Sequence, residues 1–346
     1  MARCIANPFR GTGLTHPDLA DVPFPSVDAA APRALLARCP HAGITPLSAA
    51  PALADDLGVG QVLIKDERSR MGLGSFKALG AAYVIACDAE QGEARGRTYV
   101  TASAGNHGLS VAAGAAAFGA QAVIFLADTV PESFADRLRD IGAKVPRAGA
   151  DYEASMAAAM NHAEAEGAAL LSDSSWAGYT TRPHQLMEGY LALMAEVFDQ
   201  IDAPPTHLFL QAGVGGLAGA AATIARVAWG SSTRIIVVEP EAAPCLIASV
   251  EAGAPVETTG PASAMGRLDC KVPSLIALKG LARDADDFMT ISEAEGEAGA
   301  TLAAAHGFAS TPSGAAGLAG LAAAEGAFGL SAEARVLLIL SERGEG

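Results

Sequence analysis

Lys65-Asp66-Glu67-Arg68-Ser69-Arg70-Met71-Gly72-Leu73-Gly74-Ser75-Phe76-Lys77 is the stretch on which the fold of this 346-residue chain turns. It opens on the end of a short apolar run, 61–65, that reads as a strand. A basic, glycine-punctuated turn follows, and Lys77 stands at the mouth of an apolar helix. That helix continues Ala78-Leu79-Gly80-Ala81-Ala82-Tyr83-Val84-Ile85-Ala86, whose small and large apolar positions suit close packing on a sheet. A lysine at this junction lies near a positive helix end in partly apolar surroundings. Both favour its neutral amine and predict a lowered pKa for Lys77. Such an amine forms a Schiff base with an aldehyde. Taken alone, the stretch also fits a solvated surface lysine.

Working outward, the length allows two domains or one large two-lobed enzyme. Half of the residues are hydrophobic (51%) and few are aromatic (5%), so small residues dominate the core, as in helices packed tightly on a sheet. A formal charge of −15 argues against a nucleic-acid backbone or an anionic membrane surface as partner. The five cysteines, Cys4, Cys39, Cys87, Cys245 and Cys270, are scattered and form no C-x-x-C pair. This predicts a reducing cytoplasm with buried thiols, and neither a disulfide framework nor a metal site. The sequence shows no basic-plus-apolar leader and no apolar run long enough for a membrane span.

Residues 1–30 read as an irregular arm, followed by helices over 30–37 and 49–57 and the strand at 61–65. From Lys77 to about 172 helix and strand alternate as in βαβ units: strand 97–101, helix 108–118, strand 121–126, a helix opened by Pro131 in its first turn, a strand entered from 141–145, and helix 152–166. A second α/β run begins near Pro183, with helix 183–199, strand 207–211, helix 217–229, strand 235–238 and helix 293–306. Residues 313–329 read as packed helix, and 334–340 as a final, central parallel strand.

Three further stretches carry chemistry. Thr101-Ala102-Ser103-Ala104-Gly105-Asn106-His107-Gly108 joins a buried strand to an Ala-rich helix. Open amides at that helix start and the Ser103 hydroxyl make a cradle for a carboxylate, unless this is an ordinary turn with a capping serine. Gln211-Ala212-Gly213-Val214-Gly215-Gly216-Leu217 also follows a strand and opens a helix. Its glycines let backbone approach a phosphate closely. With Ala218, and Glu239 ending the next strand, it also resembles a dinucleotide fingerprint; that reading leaves Lys77 and the Ser103–His107 turn unexplained. Ser341 stands just beyond the last apolar strand, at the sheet edge that faces ligands in parallel α/β folds.

Together these four stretches resemble the fold type II pyridoxal-phosphate enzymes, the tryptophan synthase β-like family, along nearly the whole chain from Thr45-Pro46-Leu47 to Ser341. The resemblance implies a two-lobed α/β enzyme with parallel-rich sheets flanked by helices. Its large cofactor-binding domain would comprise residues 1–78 and 173–346, and its small mobile domain 79–172. It implies that Lys77, after Phe76, carries pyridoxal 5'-phosphate. Gly213, Val214, Gly215, Gly216 and Leu217 would hold the phosphate, Asn106 the ring hydroxyl, and Ser341 the pyridine nitrogen. The turn of Ser103, Ala104, Gly105, Asn106 and His107 would hold the substrate carboxylate. A cytoplasmic homodimer is implied by the same likeness.

Within the family the sequence is most similar to the diaminopropionate ammonia-lyases. The supporting stretches are Asp173-Ser174-Ser175-Trp176-Ala177-Gly178-Tyr179-Thr180, Met187-Glu188-Gly189-Tyr190, Val238-Glu239-Pro240 and Leu268-Asp269-Cys270. The implied activity is β-elimination of 2,3-diaminopropionate to pyruvate and ammonia, with Lys77 and Asp173 as the catalytic pair. Asp173 as a helix cap is the competing role, and Arg68 and Arg70 are expected in surface salt bridges, with pairing to the phosphate as the alternative. One departure bears on the substrate. Those lyases carry an aspartate before the Gly-Asn-His, thought to serve the D-substrate, where this chain has Ala104. The L-form is therefore expected, and the turn moves closer to that of serine and threonine dehydratases. The chain is also shorter than typical members, and an active-site flap is the part expected to be trimmed. The alternatives are a pyridoxal-phosphate lyase or dehydratase of serine, threonine or hydroxyaspartate, a nicotinamide dehydrogenase, and a catalytically silent binding module.

Overall fold

The structure, a computed structural model, describes residues 3–344. Five parallel strands form the centre of its larger sheet. In spatial order they are β9 (Asp287–Ile291), β8 (Arg234–Pro240), β7 (His207–Gln211), β10 (Arg335–Leu340) and β3 (Gln61–Asp66). Strands β1 (Cys4–Ala6) and β2 (Leu47–Ala49) close its two edges antiparallel to β9 and β3. A second, three-stranded parallel sheet has β4 (Thr98–Ala102) between β5 (Gln121–Phe125) and β6 (Ala169–Leu170). The helices are α1 (Ala30–Leu36), α2 (Pro51–Asp56), α3 (Lys77–Glu90), α4 (Asn106–Ala117), α5 (Glu132–Asp140) and α6 (Tyr152–Glu166). They continue with α7 (Thr181–Gln200), α8 (Gly216–Trp229), α9 (Cys245–Ala252), α10 (Leu275–Asp284), α11 (Glu293–Ala305) and α12 (Ala316–Ala323). This is the α/β architecture the alternating pattern predicts.

Every residue of β7 and β9 is buried, and their inner positions, Leu208–Leu210 and Phe288–Met289, are apolar on both faces rather than alternating. β10 takes the central place expected of it, parallel to both β7 and β3. Helix α7 begins at Thr181, ahead of Pro183, because proline's missing N–H is harmless in a first turn. The start of α11 is set by a capping box: Ser292 accepts from the Glu295 amide, and the Glu295 carboxylate accepts from the Ser292 amide.

Several elements differ from the sequence expectation. Residues 47–49 pair with β3, so the helix read over 49–57 is confined to Pro51–Asp56. The segment after residue 141 makes only single parallel bridges, Val123 with Lys144 and Leu126 with Arg147. The helix read over 313–329 covers only Ala316–Ala323, and the chain then turns through left-handed backbone at Glu325, Gly326 and Phe328.

Arg70 is not in a surface salt bridge. It is fully buried, with its guanidinium shared between Glu67 and Glu196 at 2.7–2.8 Å. Glu196 also binds the buried Lys65 ammonium at 2.6 Å, and Lys65 donates in addition to Thr45 O and Gln200 Oε1. Two cations and two carboxylates cancel in charge and tie β3, the turn after it and α7 together. Burial works against the Glu196 carboxylate, but Arg70 and Lys65 outweigh it and hold its pKa down. Removing one member of such a group leaves an uncompensated buried charge. Arg68 is the more exposed of the two arginines. It pairs with Asp66 at 2.7 Å and donates to Ala309 O.

Candidate active site

The turn after β3 delivers Lys77 to the first position of α3. It does so through left-handed backbone at Met71, Gly72 and Gly74. The segment just beyond β10 anchors the same turn: the Phe76 amide donates to Ser341 O at 3.1 Å, the Arg343 amide donates to Gly74 O at 3.0 Å, and Ser75 bridges Glu342. Ser341 and Lys77 are thus brought to one edge of the large sheet by main-chain bonds. The Ser75 hydroxyl accepts from the Lys77 amide and stands in for a helix cap.

Lys77 Nζ donates to Asp173 Oδ2. Both side chains are about one-fifth exposed, 22% and 21%. Nζ also lies 5.3 Å from the Phe76 ring centroid. Burial works to lower the Lys77 pKa, as the sequence suggested, but the Asp173 carboxylate outweighs it and the net shift is upward. The expectation of a depressed pKa is therefore corrected: the helix start did not announce a carboxylate 96 residues away. Asp173 shows the converse balance. Burial would raise its pKa, but the Lys77 ammonium holds it well below the usual carboxylate range. Its side chain caps no helix. The segment that follows it turns back at Trp176 and Tyr179, whose rings stack 4.4 Å apart. Tyr179 Oη then donates to Leu170 O and accepts from the Ser172 amide, clamping the approach to Asp173.

The Ser103–His107 turn lies between β4 and α4. Ser103 Oγ accepts from the Gly105 and Gly108 amides, so the serine does cap this helix. The amides of Asn106 and His107, first in the helix, find no acceptor among the described residues. Ala104 is exposed. The Asn106 side chain crosses to the large sheet and donates to Glu342, which also accepts from Thr311. His107 is buried, with Nε2 2.8 Å from Leu171 O and Nδ1 without a hydrogen-bond partner among the described residues. Burial pushes its pKa down, so the ring is neutral.

The glycine loop follows β7, and Gly215 turns through φ +95° into α8. A Cβ on Gly213 would stand 2.9 Å from Cys270 Sγ and 3.1 Å from Leu268 Cα. A side chain at 213 is thereby excluded, and the main chain is left bare beside the helix start. Gly216 faces the Asp173 carbonyl, 3.8 Å from where its own Cβ would be. The loop therefore adjoins the Lys77–Asp173 pair. Glu239 is fully buried and accepts from the Leu246 and Ile247 amides at the start of α9, so it is not available to a ribose hydroxyl.

The structure thus brings Lys77, Phe76, Asp173, the glycine loop and Ser341 together at the carboxyl end of the large sheet, with Asn106 reaching it from the smaller sheet. Sequence reasoning quoted Met187-Glu188-Gly189-Tyr190 without giving Tyr190 a place, and passed over Glu342. The position of Glu342 directly after Ser341 was the available signal. A two-sheet α/β fold with a carboxylate-paired lysine and a glycine loop at the carboxyl edge of its strands defines an enzyme of the lysine-centred, cofactor-dependent class.

The chain belongs to the family of pyridoxal-phosphate dependent enzymes, whose sequence model matches residues 39–342. It is 33% identical over 268 residues to the diaminopropionate ammonia-lyase of Salmonella typhimurium, covering 69% of this chain and 66% of that protein. Its fold superposes on the Escherichia coli diaminopropionate ammonia lyase, solved in complex with an aminoacrylate–PLP azomethine reaction intermediate. The TM-score is 0.87 at 30% identity, covering 99% of this chain and 94% of that one. The same Escherichia coli protein in complex with D-serine gives a TM-score of 0.87 at 28% identity, with the same coverage. The residues present fit the family's cofactor: a lysine amine for its aldehyde, and a bare glycine backbone at a helix start for its phosphate.

Proposed function

We propose that this protein is a β-eliminating ammonia-lyase that converts L-2,3-diaminopropionate to pyruvate and ammonia. The observation that carries this reading is the Asp173 carboxylate bonded to Lys77 Nζ, together with a turn before α4 that has Ala104 instead of a second carboxylate. Lys77 and Phe76 would hold the cofactor at the mouth of α3. The amides of 213–217 would take its phosphate, Asn106 its ring hydroxyl, and Ser341 its pyridine nitrogen. When bound, pyridoxal phosphate supplies an electron sink for the charge left at the substrate's α-carbon.

The chain's own residues do the rest. The turn of Ser103, Ala104, Gly105, Asn106 and His107 orients the substrate carboxylate on the helix start. Asp173, held ionised by Lys77, selects a β-ammonium group over a β-hydroxyl. The Lys77 amine, once released, takes the α-proton. Residues 79–172 form the smaller lobe and close on 1–78 with 173–346, a division supported by the separate three-stranded sheet. A cytoplasmic homodimer accompanies the reading by family likeness, and none of the five cysteines is in a disulfide among the described residues.

The test is turnover of a panel of β-substituted amino acids, L- and D-forms separately, with keto acid and ammonia both quantified. Two ammonia per pyruvate from L-diaminopropionate as best substrate supports the proposal. Preference for serine, threonine or hydroxyaspartate, with one ammonia per keto acid, replaces the substrate and leaves the family intact.

A further inference from the structure

Tyr190 on α7 is 1% exposed, and its ring is wedged between α3 and α8. It meets Phe76 edge-on, with centroids 4.9 Å apart and planes at 64°. A Cβ on Gly80 would come within 2.6 Å of its Cε1, and one on Gly216 within 3.7 Å of its Cε2. These two carbons flank the carbon that bears the hydroxyl. The hydroxyl end of the ring therefore lies between the helix that carries Lys77 and the helix that follows the glycine loop. Neighbouring Gly189, whose Cβ would stand 2.7 Å from Leu79 O, lets α7 approach α3 closely enough to place it there. Lys77 Nζ lies 6.0 Å from the ring centroid. The hydroxyl itself is buried and meets no partner at full hydrogen-bond geometry among the described residues, Lys77 being the neighbour that pulls on it. Packing against Phe76, Gly80 and Gly216 would be served equally by phenylalanine, and an unpaired buried hydroxyl is destabilising.

We propose that Tyr190 is a positioning residue for Lys77, its hydroxyl receiving the Lys77 amine when that amine is parted from Asp173. This rests on the reading that Lys77 carries the cofactor. In the reaction Lys77 is released, and Asp173 turns to the substrate. The freed amine then faces Tyr190 Oη, with the His107 ring and the Cys270 thiol as the other titratable groups beside it. A phenol both donates and accepts, so it serves the neutral amine before proton transfer and the ammonium after it. Burial pushes the phenol's pKa up, against the pull of Lys77, and keeps it protonated. The α-proton passes from the substrate carbon to Lys77 Nζ, and Tyr190 exchanges none.

The test uses the holoenzyme with Tyr190→Phe. Loss of the hydroxyl weakens the ammonium form of the freed lysine, so the acid limb of the kcat–pH profile moves to lower pH by about half a unit or more. We expect kcat to fall about tenfold with KM within twofold, since the hydroxyl acts on the proton-transfer step and not on substrate binding. The absorbance of the lysine-bound cofactor, titrated from pH 6 to 10, should shift in midpoint, and the denaturation midpoint should stay level or rise. A 3-fluorotyrosine at position 190, a weaker acceptor of unchanged shape, should move the acid limb in the same direction by less. Wild-type kcat, pH limb and cofactor titration in both variants would overturn the proposal. If the wild-type protein shows no cofactor band that Lys77→Ala abolishes, it is the assignment of Lys77 that fails.

Discussion

Replacing Asp173 by asparagine removes the carboxylate on Lys77 Nζ while preserving its size. Two unit charges 4 Å apart are worth about 4 kcal/mol at the effective dielectric near a protein surface and about 1 kcal/mol in bulk water. With both partners about one-fifth exposed, the site lies between these limits. A β-ammonium held by Asp173 then loses about 2–3 kcal/mol on substitution, or about 30- to 150-fold in kcat/KM. Lys77 is disturbed by the same change, because its raised pKa depends on Asp173 and burial alone would lower it. That disturbance is common to all substrates, whereas the charge loss applies only to those with a β-ammonium. The informative quantity is therefore a ratio. kcat/KM for L-diaminopropionate and for L-serine or L-β-chloroalanine is measured on wild type and Asp173→Asn, with keto acid followed by coupled reduction. The diaminopropionate value should fall about 30-fold or more relative to the uncharged substrate. Equal proportional losses would refute the assignment of Asp173 as the ammonium-selecting group and leave it only as a partner of Lys77.

Ala104→Asp places a carboxylate on the exposed turn before α4 and should create measurable turnover of D-diaminopropionate; no gain over wild type would sink the stereochemical role given to this position. Glu196→Gln leaves Lys65 and Arg70 in excess inside the protein and should reduce stability by about 3–5 kcal/mol in chemical denaturation, whereas a loss under 1 kcal/mol would show the charges to be relieved by water. Glu239 has its carboxyl pushed up to about 8 by burial, against bonds from the Leu246 and Ile247 amides. The folded state thus keeps a proton that the unfolded state releases near the ordinary value of 4.5, so stability from this group falls as pH rises from about 4.5 to about 8 and is level above. Glu239→Gln should flatten that part of the pH dependence, and parallel denaturation curves from pH 5 to 8.5 would contradict it.

What could be read from the sequence were features whose cause is local. The apolar runs read at 61–65, 207–211 and 334–340 fall on β3, β7 and β10, whose inner residues are buried on both faces, and no tertiary fact is needed to mark them as strands. Lys77 stood out because a lysine at a glycine-rich strand-to-helix junction is chemically unusual. What escaped was decided at a distance. β2 is a strand because β3 offers it an edge, not because Leu47-Ser48-Ala49 favours extension. Arg70 looked like a surface cation until Glu196, 126 residues on, met it inside the protein. The sign of the Lys77 pKa shift was missed for the same reason. Glu342 and Tyr190 acquire meaning only when the segment after β10 and the face of α7 are brought against the lysine turn.

The most direct measurement of the central claim is kcat/KM of the purified holoenzyme for L- and D-diaminopropionate in parallel, with pyruvate and ammonia both counted. The account predicts turnover of the L-form at two ammonia per pyruvate, with the D-form lower by the about 30-fold or more that one missing charge contact implies. Comparable turnover of the two enantiomers would contradict it, because the single carboxylate of Asp173 would then not be what selects the substrate.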